Sequence, residues 1–241
     1  MSTSTAKPVT NRLIETLPAN DRKRLLALSE PVDLVFADIL CEPNQPFRHV
    51  YFPLTGFISL VVSVGTHPPL EMGLIGNEGM LGATLVLGVN NVPLRGVVQG
   101  TGAALRVTAP AFRRELRNSP ALHQGLSRYL YVLMAQLAQT SACTRFHEVE
   151  ARLARWLLLT HDRAHADHFH LTHQYLADML GVRRSGITIA AGSLQQRNLI
   201  EYTRGDIRIL DRVGLEGVAC ECYAAVVEDY ARVMAPGGVN D

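Results

Sequence analysis

Leu171-Thr-His-Gln-Tyr-Leu-Ala-Asp-Met-Leu-Gly181-Val-Arg-Arg-Ser-Gly-Ile-Thr-Ile-Ala190 is the stretch that decides the fold. Thr172 offers a side-chain oxygen to the free backbone amides that open a helix over residues 173–180. Leu176 and Leu180 give that helix an apolar face, and Ala177 is small where a second helix must cross closely. Gly181 stands where the chain must turn through a left-handed conformation, which glycine adopts without steric cost. Val182 is the buried turn residue, and a second helix starting near Arg183 directs Ile187, Ala190, Ala191 and Leu194 inward. Small alanine, turn glycine, and apolar residues one and six positions beyond it are the steric requirements of a helix-turn-helix. An unrelated helical hairpin meets one or two of these conditions, rarely all of them in register.

The outward residues opening the second helix are Arg183, Arg184, Ser185 and Thr188. Arginine presents a bidentate donor fork suited to guanine O6 and N7, and serine or threonine reaches phosphates or bases. A solvated charged face is the bland alternative, but here the arginine pair opens a helix built to enter a groove. Gly186 and Gly192 weaken that helix by about 1 kcal/mol each relative to alanine, which suggests a close approach to DNA or to a neighbouring helix. Downstream, Ile200 and Tyr202 alternate with polar residues, as do Ile207 and Ile209, around Gly205. This pattern predicts a β-hairpin, the wing, with Arg204 and Arg208 available for phosphates. The whole segment from Leu171 to Leu210 therefore reads as a winged helix-turn-helix whose partner is double-stranded DNA.

Charge distribution agrees. The formal net charge is only +1, yet residues 183–208 carry five arginines against two acids, whereas residues 211–241 carry six acids against two arginines. A basic patch confined to one unit is the electrostatic footprint expected of a nucleic-acid surface.

Upstream, Ser119 and Pro120 form a good helix start, with serine as N-cap and proline at the first helical position. Leu122, Leu126, Tyr129, Leu133 and Leu137 then follow at three- and four-residue spacing, and Leu130, Met134 and Ala138 widen the stripe. The spacing predicts a helix of about 25 residues with a coiled-coil-like seam. The seam is read as a homodimer contact in preference to packing on the preceding domain. Around residues 145–148 the seam is lost, which suggests a hinge, and a further helix is expected from Glu148 to His161.

Before that helix the texture differs. Val50–Phe52, Phe57–Val64, Met72–Ile75 and Leu105–Val107 are short apolar runs separated by glycine and proline turns, the pattern of an antiparallel β-sandwich or barrel. The expected fold class is α+β: an N-terminal antiparallel β-roll (jelly-roll-like), a long dimerisation helix and a C-terminal winged helix-turn-helix. The corresponding units are residues 1–118, 119–145 and 146–241, the last ending in a C-terminal helix.

The 47% hydrophobic and 19% charged composition is that of a globular protein, and no run approaches the length of a membrane span. Residues 1–7 are polar and lack the apolar core of a signal peptide, so a cytoplasmic location without membrane partners is expected. Cys41, Cys143, Cys220 and Cys222 do not match a zinc knuckle or a redox Cys-x-x-Cys pair. On one helix Cys220 and Cys222 would point apart, so free thiols are expected. His161, His165, His168, His170 and His173 cluster near Asp162 and Asp167. A polar inter-helix loop is preferred to a metal site there, and neither metal nor cofactor is expected. No nucleophile–base pair or phosphate loop suggests an enzyme using the β-roll.

With these residues in place, the sequence resembles the Crp/Fnr family of bacterial transcription regulators. The resemblance is most specific over Phe146–Asp211, in His147-Glu-Val-Glu-Ala-Arg-Leu-Ala-Arg-Trp-Leu, Leu171-Thr-His-Gln-Tyr-Leu-Ala and Leu180-Gly-Val-Arg-Arg-Ser. It implies a cyclic-nucleotide-binding-type β-roll, a dimerisation helix and a winged helix that binds two-fold operators. It also implies phosphate contacts from His173 and Gln174, and Arg184 as the principal base reader. A small-molecule effector and RNA polymerase are the further partners it admits.

Two departures matter. Many members of the family carry a glutamate directly after the base-reading arginine and a second arginine one turn later, where this chain has Ser185 and Ile189. The operator is therefore expected to differ from the familiar one. The family's nucleotide cassette, a Gly-Glu pair followed by Arg-Ser, corresponds here to Gly79-Met80-Leu81-Gly82 and Pro93-Leu94-Arg95-Gly96. Met80 cannot accept a ribose hydrogen bond, Gly96 lacks a hydroxyl, and a one-residue slip of Arg95 in a strand turns it to the other face. Cyclic-nucleotide binding is disfavoured. The remaining alternative is a metal- or redox-responsive regulator of the same architecture, resting on the histidine tract and on Cys143 near the hinge.

Overall fold

The computed structural model describes residues 10–164 and 166–235. Two short helices, α1 (Arg12–Glu15) and α2 (Ala19–Ala27), flank Pro18, which carries no amide proton and breaks the helical run. Seven strands follow: β1 (Glu30–Leu34), β2 (Ile39–Cys41), β3 (His49–Pro53), β4 (Phe57–Val62), β5 (Leu70–Ile75), β6 (Arg95–Gly100) and β7 (Gly102–Thr108). They form two antiparallel sheets, ordered β1-β7-β3 and β2-β6-β4-β5. The chain changes sheet between β6 and β7, where Gly100 and Gly102 lie against the Phe57 ring and the Thr55 carbonyl. A side chain at either position would collide with its neighbour, so the corner needs glycine. Phe52 and Phe112 meet edge to face at 5.9 Å in the core between the sheets and the following helix.

Helix α3 (Ala109–Asn118) leads into α4 (Pro120–Phe146), capped as expected by Ser119, whose side chain accepts from the Leu122 amide. The seam expected at this helix is turned inward. Leu122, Leu126 and Tyr129 are buried in the core of the chain's own β-roll, Leu133 lines a cleft against α5 and α9, and Leu137 approaches Gly73 of β5. A long helix beside a small β-roll must cover that sheet's apolar face, and the strongest stripe is taken for this purpose. The opposite face carries Ser127, Tyr131, Met134, Ala138, Ser141 and Arg145 at heptad spacing, with Tyr131 47% and Met134 61% exposed.

The C-terminal half consists of α5 (Val149–Ala164), β8 (His168–His170), α6 (His173–Leu180), α7 (Arg184–Gln196), β9 (Ile200–Thr203), β10 (Asp206–Ile209), α8 (Arg212–Val218) and α9 (Cys222–Met234). Its core joins Leu153, Trp156 and Leu157 of α5 to the inward faces of α6 and α7 and to Ile200 and Ile207 of the hairpin. Helix α9 returns to α4 and places Val233 and Met234 in the β-roll core. Physically, then, the last helix of the expected 146–241 unit is shared with the N-terminal half.

The two halves also meet through a buried carboxyl. Glu71 of β5 accepts from Trp156 Nε1 at 2.7 Å and lies 2.6 Å from Ser59 Oγ. The Ser59 hydroxyl is also 2.5 Å from Gln99 Oε1, while Gln99 Nε2 donates to Met179. One hydroxyl proton cannot serve two acceptors at once, so Ser59 donates to Glu71 or to Gln99 but not to both. Burial pushes the pKa of Glu71 up from 4.5 to about 7, against hydrogen bonds from Ser59 and Trp156 and the charges of Arg155 and Arg163. A raised folded-state pKa contributes stability fully present below the unfolded value and lost as pH rises through the folded one. Unfolding by urea is therefore expected to show stability falling between about pH 4.5 and about pH 7. In Glu71→Gln that part of the slope disappears.

Candidate nucleic-acid interface

Helix α6 is capped at its start by the Thr172 side chain accepting from the Tyr175 amide at 3.2 Å. It ends at Gly181, whose φ of +63° is the left-handed turn expected there, and a side chain at that point would press on Leu70 of β5. Arg183 caps α7 and the helix proper begins at Arg184. Ile187, Ala190, Ala191 and Leu194 are buried against α5 and α6, as the 3.6-residue period requires. The opposite face presents Arg184, Ser185 and Thr188, with Arg183 at its start and Ile189 at 74% exposure. Gly186 makes only ordinary contact with Val149, and Gly192 faces open space, so neither marks a close helix–helix approach.

His173, for which the resemblance implies a phosphate contact, is engaged within the unit itself through Nδ1, while its Nε2 has no hydrogen-bond partner among the described residues. Its Nδ1 lies 3.0 Å from Thr188 Oγ1, and its ring stacks on Tyr202 with centroids 4.3 Å apart. The ring thus ties α6 to the recognition helix and to the wing. Partial burial, and secondarily the Arg184 charge, lower its pKa, which favours the neutral ring. Gln174 is exposed on α6 and donates to Asp178 at 2.8 Å.

The wing turn places Arg204 and Gly205 at φ of +52° and +93°, the two left-handed residues of a type I′ hairpin. Register pairs Thr203 with Asp206 and Ile200 with Ile209, which turns Ile207 and Ile209 inward and Arg208 outward. Both Arg204 and Arg208 are exposed. A third strand, β8, pairs with β10, and the sequence pattern gives no sign of it.

The structure divides the histidine tract. His161 contacts Asp167 at 2.7 Å and Arg212 at 2.6 Å; His168 and His170 both face Asp206. His173 belongs to the interface just described, and His165 lies outside the described residues. On the β-roll side, Met80 is fully buried, and a side chain at Gly79 would run into the Tyr129 ring. Gly82 has φ of +101° before a 3-10 turn at Ala83–Leu87. Arg95 is held by Glu42 at 2.9 Å, and Gly96 packs against Cys41 and Leu81. Those positions are filled by core or by a part-exposed ion pair. Between the halves lies a cavity of about 680 Å³, lined by Glu78, Tyr129, Leu133, Asp162, Arg163 and Tyr230. At its edge Arg163 pairs with Glu78 at 2.8 Å.

Two helices crossing at a tight turn, an outward arginine pair and a basic β-hairpin define the winged helix-turn-helix class of DNA-binding unit. Residues 151–218 match the Crp-like helix-turn-helix domain family. Over about four fifths of the chain the fold is similar to that of solved Crp/Fnr-type regulators. It is similar to the c-di-GMP-responsive global regulator CLP of Xanthomonas campestris (TM-score 0.64, 15% identity, covering 80% of this chain and 99% of that one). FixK2 of Bradyrhizobium japonicum aligns with TM-score 0.67 at 13% identity, covering 80% and 98% of the two chains. A CRP-family transcriptional regulator of Thermus thermophilus aligns with TM-score 0.62 at 18% identity, covering 78% and 96%. Comparison with curated proteins gives no match. Among the described residues no helix is long and apolar enough to cross a membrane.

Proposed function

We propose that the protein is a homodimeric, sequence-specific, cytoplasmic DNA-binding regulator of transcription without catalytic activity. The observation that carries this reading is the outward face of Arg183, Arg184, Ser185 and Thr188, on a helix whose other face is locked into a core by Ile187, Ala190, Ala191 and Leu194. A rigid helix of this kind presents base-reading side chains at a fixed depth in the major groove, while exposed Arg204 and Arg208 of the wing neutralise flanking phosphates. The second copy docks on the outward face of α4 through Tyr131, Met134 and Ala138. Each protomer then reads one half of a two-fold site.

In this reading the β-roll does not take a cyclic nucleotide, because Met80 is buried core and Arg95 is engaged by Glu42. A small-molecule effector instead enters the cavity between α4, α5 and α9, where it bears directly on the Arg163–Glu78 pair joining the two halves. RNA polymerase is the remaining partner. Selection from random duplexes followed by gel shift at physiological salt tests the proposal. A palindromic site is expected, with half-site centres one helical turn apart, about 34–36 Å. Equal affinity for all sequences overturns it.

A further inference from the structure

The four cysteines were expected to be unrelated thiols, yet the structure gathers three of them. Cys143 lies in the last turn of α4, and His147, four residues on, caps the same helix. Cys220 sits in the corner between α8 and α9, and Cys222 is the first residue of α9. Because the chain bends between them, Cys220 and Cys222 are not on one helix, and their sulfurs converge where a continuous helix would have separated them. One ligand atom from each of Cys143, His147, Cys220 and Cys222 falls within 4.8 Å of the others.

We propose that Cys143, His147, Cys220 and Cys222 form a Cys3His site for a zinc ion, which pins the α8–α9 corner to the hinge end of α4. This proposal goes beyond the DNA-binding reading and does not rest on it. Four ligand atoms around a tetrahedral zinc, with bonds of about 2.3 Å to sulfur and about 2.0 Å to nitrogen, stand roughly 3.3–3.8 Å apart. Here Cys143 Sγ is 3.5 Å from Cys220 Sγ, and Cys222 Sγ is 3.4 Å from His147 Nδ1. Side-chain adjustments suffice to close the set.

The surroundings suit a metal. His147 directs Nδ1 toward the sulfurs and contacts Glu221 Oε1 through Nε2 at 3.0 Å. A carboxylate on the far nitrogen is the arrangement that fixes the tautomer and orientation of a metal-bound imidazole. Gln139 Nε2 donates to Cys222 Sγ at 2.9 Å, a contact that stabilises a thiolate. Zinc with three thiolates and a neutral histidine carries one negative charge. The buried Arg152 and Arg155 stand close enough to act on Cys143, and Arg155 Nε has no hydrogen-bond partner among the described residues. Binding converts the thiols to thiolates and releases their protons to solvent, with no change of oxidation state.

The test uses the full-length chain without a histidine tag, produced with zinc in the medium and purified without chelator. Elemental mass spectrometry is expected to find about one zinc per chain, as a four-ligand closed site requires. Cys143→Ser and Cys222→Ser are expected to fall to the buffer background, and Cys41→Ser to keep the full content. Should those variants fail to fold, cobalt substituted into the wild-type chain decides the matter. Tetrahedral thiolate ligation gives intense visible ligand-field bands and near-ultraviolet charge-transfer bands. Folded wild-type protein with background zinc, four alkylatable thiols and an octahedral-like cobalt spectrum overturns the proposal. So does isolation of the chain as a Cys143–Cys220 disulfide.

Discussion

Met134→Glu is expected to leave the chain folded, convert a dimer to a monomer and weaken operator binding by about 10²–10⁴-fold. Met134 is 61% exposed on the α4 face away from the β-roll, so an isolated chain tolerates the glutamate. Surface substitutions of this kind shift stability by about 0.5 kcal/mol or less. Across a two-fold seam the same change sets two carboxylates against each other and against the partner's apolar stripe. Loss of the dimer separates the half-site readers, and the second half-site no longer binds at high effective concentration. Light scattering after size exclusion reads the first effect and gel shift the second. Leu126→Glu serves as the contrast: that side chain is wholly buried in the β-roll core, and the variant should unfold instead of monomerising. A Met134→Glu chain that remains dimeric, with Ala138→Glu behaving alike, would place the dimer contact elsewhere.

The contrast between Met134 and Leu126 shows what the sequence could and could not convey. Helix α4 is apolar on two faces, and its period predicts a helix with a stripe but not which stripe the β-roll will claim. That choice depends on the sheet, whose strands come from much earlier in the chain. The helix-turn-helix was legible because its conditions are local: Thr172, Ala177, Gly181 and Ile187 interact within a few turns of one another. The β-roll was legible as a texture, though β1 escaped notice. Glu30, Pro31 and Asp33 look unlike a strand, and they are tolerated because β1 is the edge of its sheet. Helical period alone turns Arg184 and Thr188 away from the buried side of α7, but no period locates His173. Its stacking on Tyr202 depends on how the wing folds back, which no local pattern records. The Cys143 cluster was hidden for a similar reason, since its two pairs meet only when α9 returns to α4.

Arg184→Ala is expected to remove about 1–3 kcal/mol of sequence-specific binding at each half-site, with a smaller loss on random DNA. Arginine and lysine are not interchangeable at such a contact. A guanidinium in the groove donates two parallel hydrogen bonds to guanine O6 and N7, so its removal costs base discrimination as well as charge. Arg184→Lys therefore separates the two contributions: it keeps the charge, and it should still relax specificity at the base pair read by Arg184. Arg208 on the wing predicts the opposite pattern. Its alanine variant should weaken binding to all sequences about equally and reduce the salt-dependence slope by about one. Arg197, paired with Glu150 at 3.3 Å behind the reading face, should do neither when replaced by alanine. Operator and random-duplex affinities measured across a salt series for these four variants assign each arginine. If Arg184→Ala lowers affinity evenly for all duplexes while the operator consensus is unchanged, Arg184 holds phosphate and base reading falls to Arg183 or Ser185. Ile189 sits one turn further along the same exposed face and offers a thymine methyl contact where a second arginine would have claimed a guanine. Substituting Ile189→Arg should accordingly move the preferred base at that position toward guanine.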